Sequence, residues 1–188
     1  MSHSISFFSW NVRGLGQQAR WNDVLCELIA QRPSVVALQE TKLTEVNNMK
    51  AKTFLPARLT RFEAKDAIGA SGGVLTAWDD SVCVLRSVSQ RRYTLTTSFS
   101  LSRDGTSFTV TNVYAPTAHS DKAIFLTELQ EIATSIFEPW VIIGDFNLLR
   151  DPGDKNNDSF NSLEADMFNN AINTMEWIEI LLVDRAFT

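Results

Sequence analysis

The chain has 188 residues, enough for one domain with a sizeable core. Its apolar fraction of 44%, with twelve Phe and five Trp, excludes a disordered chain, and no apolar run approaches the roughly 20 residues of a membrane helix. A net charge of −5 argues against bulk electrostatic affinity for nucleic acid, yet it leaves room for a nucleic-acid enzyme, because carboxylates gathered around a cation make an active site acidic in itself. The N-terminus lacks the basic-then-apolar profile of a signal peptide, so the expectation is a soluble, intracellular protein that does not enter a membrane.

Taken in order, Ile5–Trp10 reads as a strand. Residues 19–31 read as a helix, with Trp21, Val24, Leu25, Leu28 and Ile29 on one face and Pro33 ending it. Val35–Gln39 is a short strand, and Glu45–Leu55 a helix with a weak apolar face. Gly72–Trp78, Ser81–Ser89, Tyr93–Leu101 and Ser107–Tyr114 are rich in Val, Thr, Phe and Leu and are divided by turn signals, which predicts an antiparallel meander or a pair of hairpins. A helix is expected over Asp121–Phe137, capped by Ser120. A strand over Trp140–Gly144, a polar loop over Arg150–Asn161, a helix over Ser162–Thr174 and a final strand over Ile178–Val183 complete the chain. Interleaved strands and helices with hairpins in the middle suggest sheets layered with helices. The two cysteines, Cys26 and Cys83, read as free buried thiols, and neither has a Cys or His neighbour at zinc spacing.

Polar residues stand where strands end. Strand alternation places Phe7, Ser9 and Asn11 on one face, and Val36, Leu38 and Glu40 on another. Trp140-Val-Ile-Ile-Gly-Asp-Phe-Asn147 is a buried strand that delivers Asp145 and Asn147, which point the same way if the strand extends that far. Ser107–Tyr114 delivers Tyr114. A hard divalent cation takes oxygen ligands: Glu40 suits a carboxylate ligand, and Asn11 suits a ligand or a group that orients one. Asp145 suits a base for an attacking water. Asn147 and Tyr114 suit hydrogen bonds to phosphate oxygens, and Arg13 a charge contact. Each alone has a bland reading as a turn, cap or rim residue; their joint occurrence at separate strand ends carries the weight.

Ser9-Trp-Asn-Val-Arg-Gly14, Ala37-Leu-Gln-Glu-Thr-Lys42, Gly72-Gly-Val, Asn112-Val-Tyr-Ala-Pro116 and Ile143-Gly-Asp-Phe-Asn147 occur in this order. Together they resemble the endonuclease/exonuclease/phosphatase superfamily over nearly the whole chain, and most of all the apurinic-type endonuclease domain of LINE-type non-LTR retrotransposons, particularly plant ones. The resemblance implies one domain over residues 1–188 with a four-layer α/β sandwich, two mixed β-sheets flanked by helices. It implies phosphodiester cleavage in DNA dependent on Mg²⁺, with Mn²⁺ as the alternative ion, in the nucleus if the chain acts for a retroelement. By family position Asn11 and Glu40 hold the metal, Tyr114 contacts the phosphate, Asp145 positions or deprotonates the water, and Asn147 orients the scissile group. Arg13 and Lys42 are candidate substrate contacts.

Family members carry a later Ser-Asp-His motif, and the only histidines here are His3 and His119. The expectation is a domain truncated at its C-terminus, lacking its last strands and impaired in activity. Two other readings stand beside it: another phosphoesterase of the superfamily, acting on RNA, inositol phosphates or sphingolipid, and a non-catalytic remnant that binds a partner protein or nucleic acid, with Arg91, Arg92, Lys42 and Arg58 as candidate contacts to a phosphate backbone.

Overall fold

The computed structural model describes residues 4–59, 61–69, 71–154 and 160–180. They form two compact units. The first contains the described residues up to Tyr114 together with Phe137–Asp145, and the second contains Ala115–Ile136 with the described residues from Phe146 onward.

The first unit holds two mixed four-stranded sheets. In sheet 1 the order is β1-β2-β4-β3, from β1 (Phe7–Asn11), β2 (Val35–Gln39), β3 (Arg61–Ile68) and β4 (Ser71–Trp78). In sheet 2 it is β5-β6-β7-β8, from β5 (Cys83–Gln90), β6 (Thr94–Leu101), β7 (Ser107–Tyr114) and β8 (Trp140–Asp145). Each sheet contains one parallel pair, β1 with β2 and β7 with β8. A parallel pair needs a long connection; by sequence these are α1 (Gln18–Gln31) and α3 (His119–Ala133), with α2 (Asn48–Ala51) a single short turn between them. The fold class is the expected α/β sandwich of two mixed sheets.

β2 is the central element. All five of its residues are buried, as its continuous apolar run requires of a strand covered on both faces. On one face Val36 and Leu38 join Val24 and Leu28 of α1, with Phe54, Leu59 and Leu75, in one core; on the other Val35 joins Trp78, Phe99, Phe108 and Val110 in a second. α1 contributes an amphipathic stripe and ends where Arg32 turns left-handed at φ 49° ahead of Pro33. The inter-sheet layer is not wholly apolar. Gln39 Nε2 donates to Asn112 Oδ1 at 2.8 Å, and Asn112 Nδ2 donates to the Leu75 carbonyl at 3.0 Å. Both side chains are buried, and the hydrogen bonds offset a desolvation cost that would otherwise be prohibitive.

In the second unit, α3 and α4 (Ser162–Thr174) meet around Phe146, whose ring lies 6.2 Å from that of Phe125 and 5.5 Å from that of Phe168. Asn161 caps α4 by accepting from the amides of Leu163 and Glu164, which satisfies two of the donors every helix start leaves open.

Several expectations need correction. β3 has no counterpart among the expected strands, because Arg61-Phe-Glu-Ala-Lys-Asp-Ala-Ile is half polar, as suits a strand that is at the edge of its sheet among the described residues. The middle of the chain divides between the two sheets: β3 and β4 form a hairpin in one, and β5, β6 and β7 a meander in the other. Only Asn48–Ala51 of the proposed Glu45–Leu55 helix is helical; Phe54 and Leu55 are buried in the turns that follow. Ser120 lies inside α3, which starts at His119 after Ala118 without a side-chain cap. Of the proposed strand Ile178–Val183, residues 178–180 are not strand, and 181–183 lie outside the described residues. Cys26 is exposed and only Cys83 is buried, both as free thiols.

Candidate active site

At the end of β1, Asn11 is held from both ends of its amide. Oδ1 accepts from the backbone N–H of Arg13 at 3.1 Å, a local turn that the left-handed backbone of Arg13 (φ 53°) permits. Nδ2 donates to Asp145 Oδ2 at 2.6 Å. One side-chain bond therefore ties the first strand of sheet 1 to the last strand of sheet 2. Arg13 is exposed, and its part in this geometry comes from its main chain.

Glu40 does not continue the alternation of β2. The strand stops at Gln39, and Glu40 and Lys42 both have left-handed backbone (φ 53° and 56°) on either side of buried Thr41. Main-chain bonds hold this turn. Thr41 and Lys42 donate to the carbonyls of Gly73 and Gly72 at 3.0 Å each, and Leu15 donates to the Thr41 carbonyl at 2.8 Å. Gly73 is required: its φ is +81°, and a Cβ there would lie 2.4 Å from Thr41 Oγ1. The turn presents the Glu40 carboxylate to Lys42 Nζ at 2.9 Å. Lys42, a candidate substrate contact, thus pairs with Glu40 and offsets its charge.

Tyr114 ends β7 and is the register partner of Asp145 across the parallel pair. Burial, then the charges of Glu40 and Asp145, push its phenol above the ordinary tyrosine value. It remains a protonated hydrogen-bond donor at neutral pH and stands in the field of both carboxylates.

Asn147 departs from its expected placement. β8 ends at Asp145, and Asn147 is left-handed at φ 46°, so the alternation that would point it with Asp145 lapses. In the second unit its Nδ2 donates to the Ala115 carbonyl at 2.8 Å, and its own carbonyl accepts from Lys122 Nζ.

Among the described residues no three His, Cys, Asp or Glu side chains form a metal-ligating group. Glu40, Asn11 and Asp145 nonetheless present carboxylate and amide oxygens, the donors Mg²⁺ takes alongside waters and substrate phosphate. The cation already beside Glu40 is an ammonium, so the position accepts positive charge, and the donor chemistry fits the ion.

Sequence reasoning assigns no role to Gln39, Asn112, Lys122 or Glu164. Lys122 carries a readable signal. It lies in register with Phe125, Leu129 and Ile132 on the buried face of α3, where a lysine needs a partner. Glu164 supplies one at 3.5 Å. His119 bonds Glu164 as well.

Two mixed sheets with carboxylates, an amide and a phenol at their strand ends define a phosphoesterase and nuclease fold. Residues 8–187 match the Endonuclease/Exonuclease/phosphatase family, and the chain belongs to it. No curated protein matches it in sequence. Among solved structures it is similar to an AP endonuclease, LMAP, from Leishmania major (17% identity, TM-score 0.68, 91% of this chain and 66% of that one). It is also similar to an AP endonuclease from Archaeoglobus fulgidus (15%, TM-score 0.64, 90% and 70%) and to the human Nocturnin catalytic domain with bound sulfate (18%, TM-score 0.55, 77% and 64%). The chain thus spans just under two thirds of the Leishmania protein's length. No helix among the described residues is long and apolar enough to cross a membrane.

Proposed function

We propose that the chain is a Mg²⁺-dependent phosphodiesterase of the DNA-nicking type, related to the apurinic-type endonuclease domains of LINE-type retrotransposons and acting in the nucleus. The observation that carries this reading is the 2.6 Å bond between Asn11 and Asp145, beside a phenol that feels both Asp145 and Glu40. AP endonucleases among the structural neighbours lend it support.

Glu40 and Asn11 would hold the Mg²⁺, or Mn²⁺ in its place. When bound, the ion polarises a phosphoryl oxygen and neutralises developing charge. Asn11 holds Asp145 in one orientation, from which its carboxylate accepts the proton of an attacking water. Tyr114, kept protonated, donates to a phosphate oxygen as charge builds there. Lys42, paired with Glu40 at 2.9 Å, would add a cation for the substrate phosphate. Asn147 orients the scissile group. Arg13 adds an exposed charge for the phosphate backbone.

Turnover by these 188 residues is expected to be slow. The one histidine among the described residues, His119, is bonded to Glu164, and a phosphate without a histidine donor loses on the order of 10²–10³ in rate. A supercoiled-plasmid nicking assay tests both parts. Weak Mg²⁺-dependent nicking that vanishes in Asp145→Ala and Glu40→Ala is the expected result. Rapid turnover abolished by Asp145→Ala would overturn the impairment. Preference for small phosphoesters over plasmid would overturn the DNA substrate. No turnover, together with no calorimetric difference in Mg²⁺ binding between wild type and Glu40→Ala, would leave a non-catalytic remnant.

A further inference from the structure

Lys122 is a buried cation with no place in the chemistry described so far. Its side chain is 6% exposed, and a charge so placed persists only where it is paired and hydrogen-bonded. The partners belong to two other segments of the same unit. Nζ pairs with Glu164 Oε2 at 3.5 Å, in the first turn of α4, and donates to the backbone carbonyl of Asn147. Glu164 is itself only 16% exposed and is engaged on its other oxygen by His119.

The Asn147 turn shows what the lysine does. Asn147 is left-handed at φ 46°, a conformation that asparagine tolerates better than most residues and that its contacts select here. Two of its contacts hold it at both ends. The Asn147 amide donates to Ala115, and its carbonyl receives the Lys122 ammonium. A neutral side chain of similar length at 122 would leave that carbonyl and the Glu164 carboxylate without the charge that joins them.

We propose that Lys122, set by Glu164, is a positioning residue that holds Asn147 in its left-handed turn and so aims the Asn147 side chain for its work on substrate. The proposal rests on the phosphodiesterase reading for the meaning of that work. The clamp itself stands on geometry alone, and the two can fail separately.

The test compares Lys122→Met, Lys122→Arg, Glu164→Gln and Asn147→Ala in the full chain, by nicking kinetics and by NMR of the asparagine side-chain amides. Lys122→Met should lower kcat about 10- to 100-fold with KM changed less than about threefold, as expected when a working group is misplaced while substrate binding is unimpaired. Lys122→Arg should restore most of the rate, and Glu164→Gln should lower it less than Lys122→Met. The double variant Lys122→Met/Asn147→Ala should be no slower than Asn147→Ala alone, because a positioning residue has no effect once its target is gone. In the spectra, the Asn147 amide pair should shift in Lys122→Met and stay in place in Lys122→Arg.

A fall in Tm with kcat unchanged, or effects of the two substitutions that multiply, would overturn the proposal in favour of a plain strut between α3 and α4. If wild type does not cleave DNA, the phosphodiesterase reading fails and the spectra decide the clamp: an unmoved Asn147 amide pair in Lys122→Met overturns it. If Lys122→Met does not fold, Glu164→Gln carries the same comparison, and an Asn147 amide pair unmoved there overturns the proposal too.

Discussion

The two strands that lead to candidate site carboxylates are held in opposite ways. β2 lies inside its sheet, and every residue in it is buried; β8 is at the edge of its sheet among the described residues, and every residue is half-buried. After β2, the Glu40 turn is fixed by main-chain bonds to Gly72, Gly73 and Leu15. At the end of β8, a side-chain bond from Asn11 orients Asp145. A main-chain scaffold tolerates side-chain change and fails only where a Cβ cannot fit. A side-chain scaffold fails at single substitutions that leave the fold intact. The central strand thus gives a carboxylate whose position is hard to perturb, and the edge strand gives one that can be detuned by one amide.

The largest effect should come from the point where the edge strand is most constrained. Gly144 has φ +139°, and a Cβ there would lie 2.2 Å from the Val113 carbonyl oxygen and 2.9 Å from its nitrogen. Both atoms belong to the main chain of β7 and cannot rotate away. Gly144→Ala should destabilise by roughly 3 kcal/mol or more through strain and overpacking; a urea midpoint close to wild type would show that β8 gives way more easily than its register implies.

The anchor of the central strand comes next. Asn112→Ala removes one acceptor of Gln39 Nε2, which keeps Ser9 Oγ and the Ala37 carbonyl, and removes the donor to Leu75. Each buried hydrogen bond lost in this way costs about 0.5–1.5 kcal/mol. The loss should appear in equilibrium unfolding, and a midpoint equal to wild type would show that this buried pair adds nothing to stability.

Gly73→Ala probes the main-chain scaffold under Glu40. Its Cβ would meet Thr41 Oγ1, a side-chain atom that can turn, with the Lys42 amide nitrogen next at 3.2 Å. The expected cost is roughly 1–2 kcal/mol, mostly for an alanine at positive φ, with weaker Mg²⁺ binding by calorimetry. Intact stability with intact Mg²⁺ affinity would contradict the view that this turn is held by its main chain.

A smaller effect lies at Asp79, beyond the end of β4. Burial raises its pKa, but the Ser81 hydroxyl and amide and the Arg58 guanidinium outweigh that and hold the carboxyl below its ordinary value. The sign follows from proton binding. The unfolded state takes up the proton first, so the stabilisation is complete above about pH 4, the ordinary carboxyl range, and is lost as pH falls through the folded value. The stability gap between wild type and Asp79→Asn should be constant at neutral pH and close on acidification; a gap that widens in acid would reverse the assignment.

The smallest perturbation is chemical labelling. Cys83 starts β5, the other edge of sheet 2, where burial and then Asp79 push its thiol up to about 12. Cys26 is exposed. A thiol reagent at neutral pH should label one cysteine in the native protein and the second only on unfolding. Rapid labelling of both would mean that β5 frays while β2 does not.

β2, β7 and α4 are legible in the sequence to the residue, because a five-residue apolar run, an eight-residue β-branched run and an Asn-capped amphipathic segment are each dictated locally. β3 is not, since its polar residues are tolerated only because one side of it has no neighbouring strand among the described residues. The site is legible as a set of residue types at strand ends, and Asn11, Glu40, Tyr114 and Asp145 are each at or just beyond one. The directions of the side chains are less so. Alternation fails at Glu40 and Asn147 because both residues are left-handed, and nothing in their identity requires that. What permits it is Gly73 behind Thr41 in one case and a buried lysine 25 positions away in the other.

The sequence alone therefore determined the class of fold and the chemistry on offer, because periodicity, burial and residue type act over a few neighbouring positions. It also placed the chain in its family through motifs that stand in order. Only the tertiary structure decided that the middle strands belong to two sheets, that Asn11 bonds Asp145, that Lys42 sits on Glu40, and that Lys122 reaches Asn147. Those contacts join residues whose separation along the chain carries no local preference. They form because hydrophobic burial brings the elements together, and a buried polar group must then find a partner within reach.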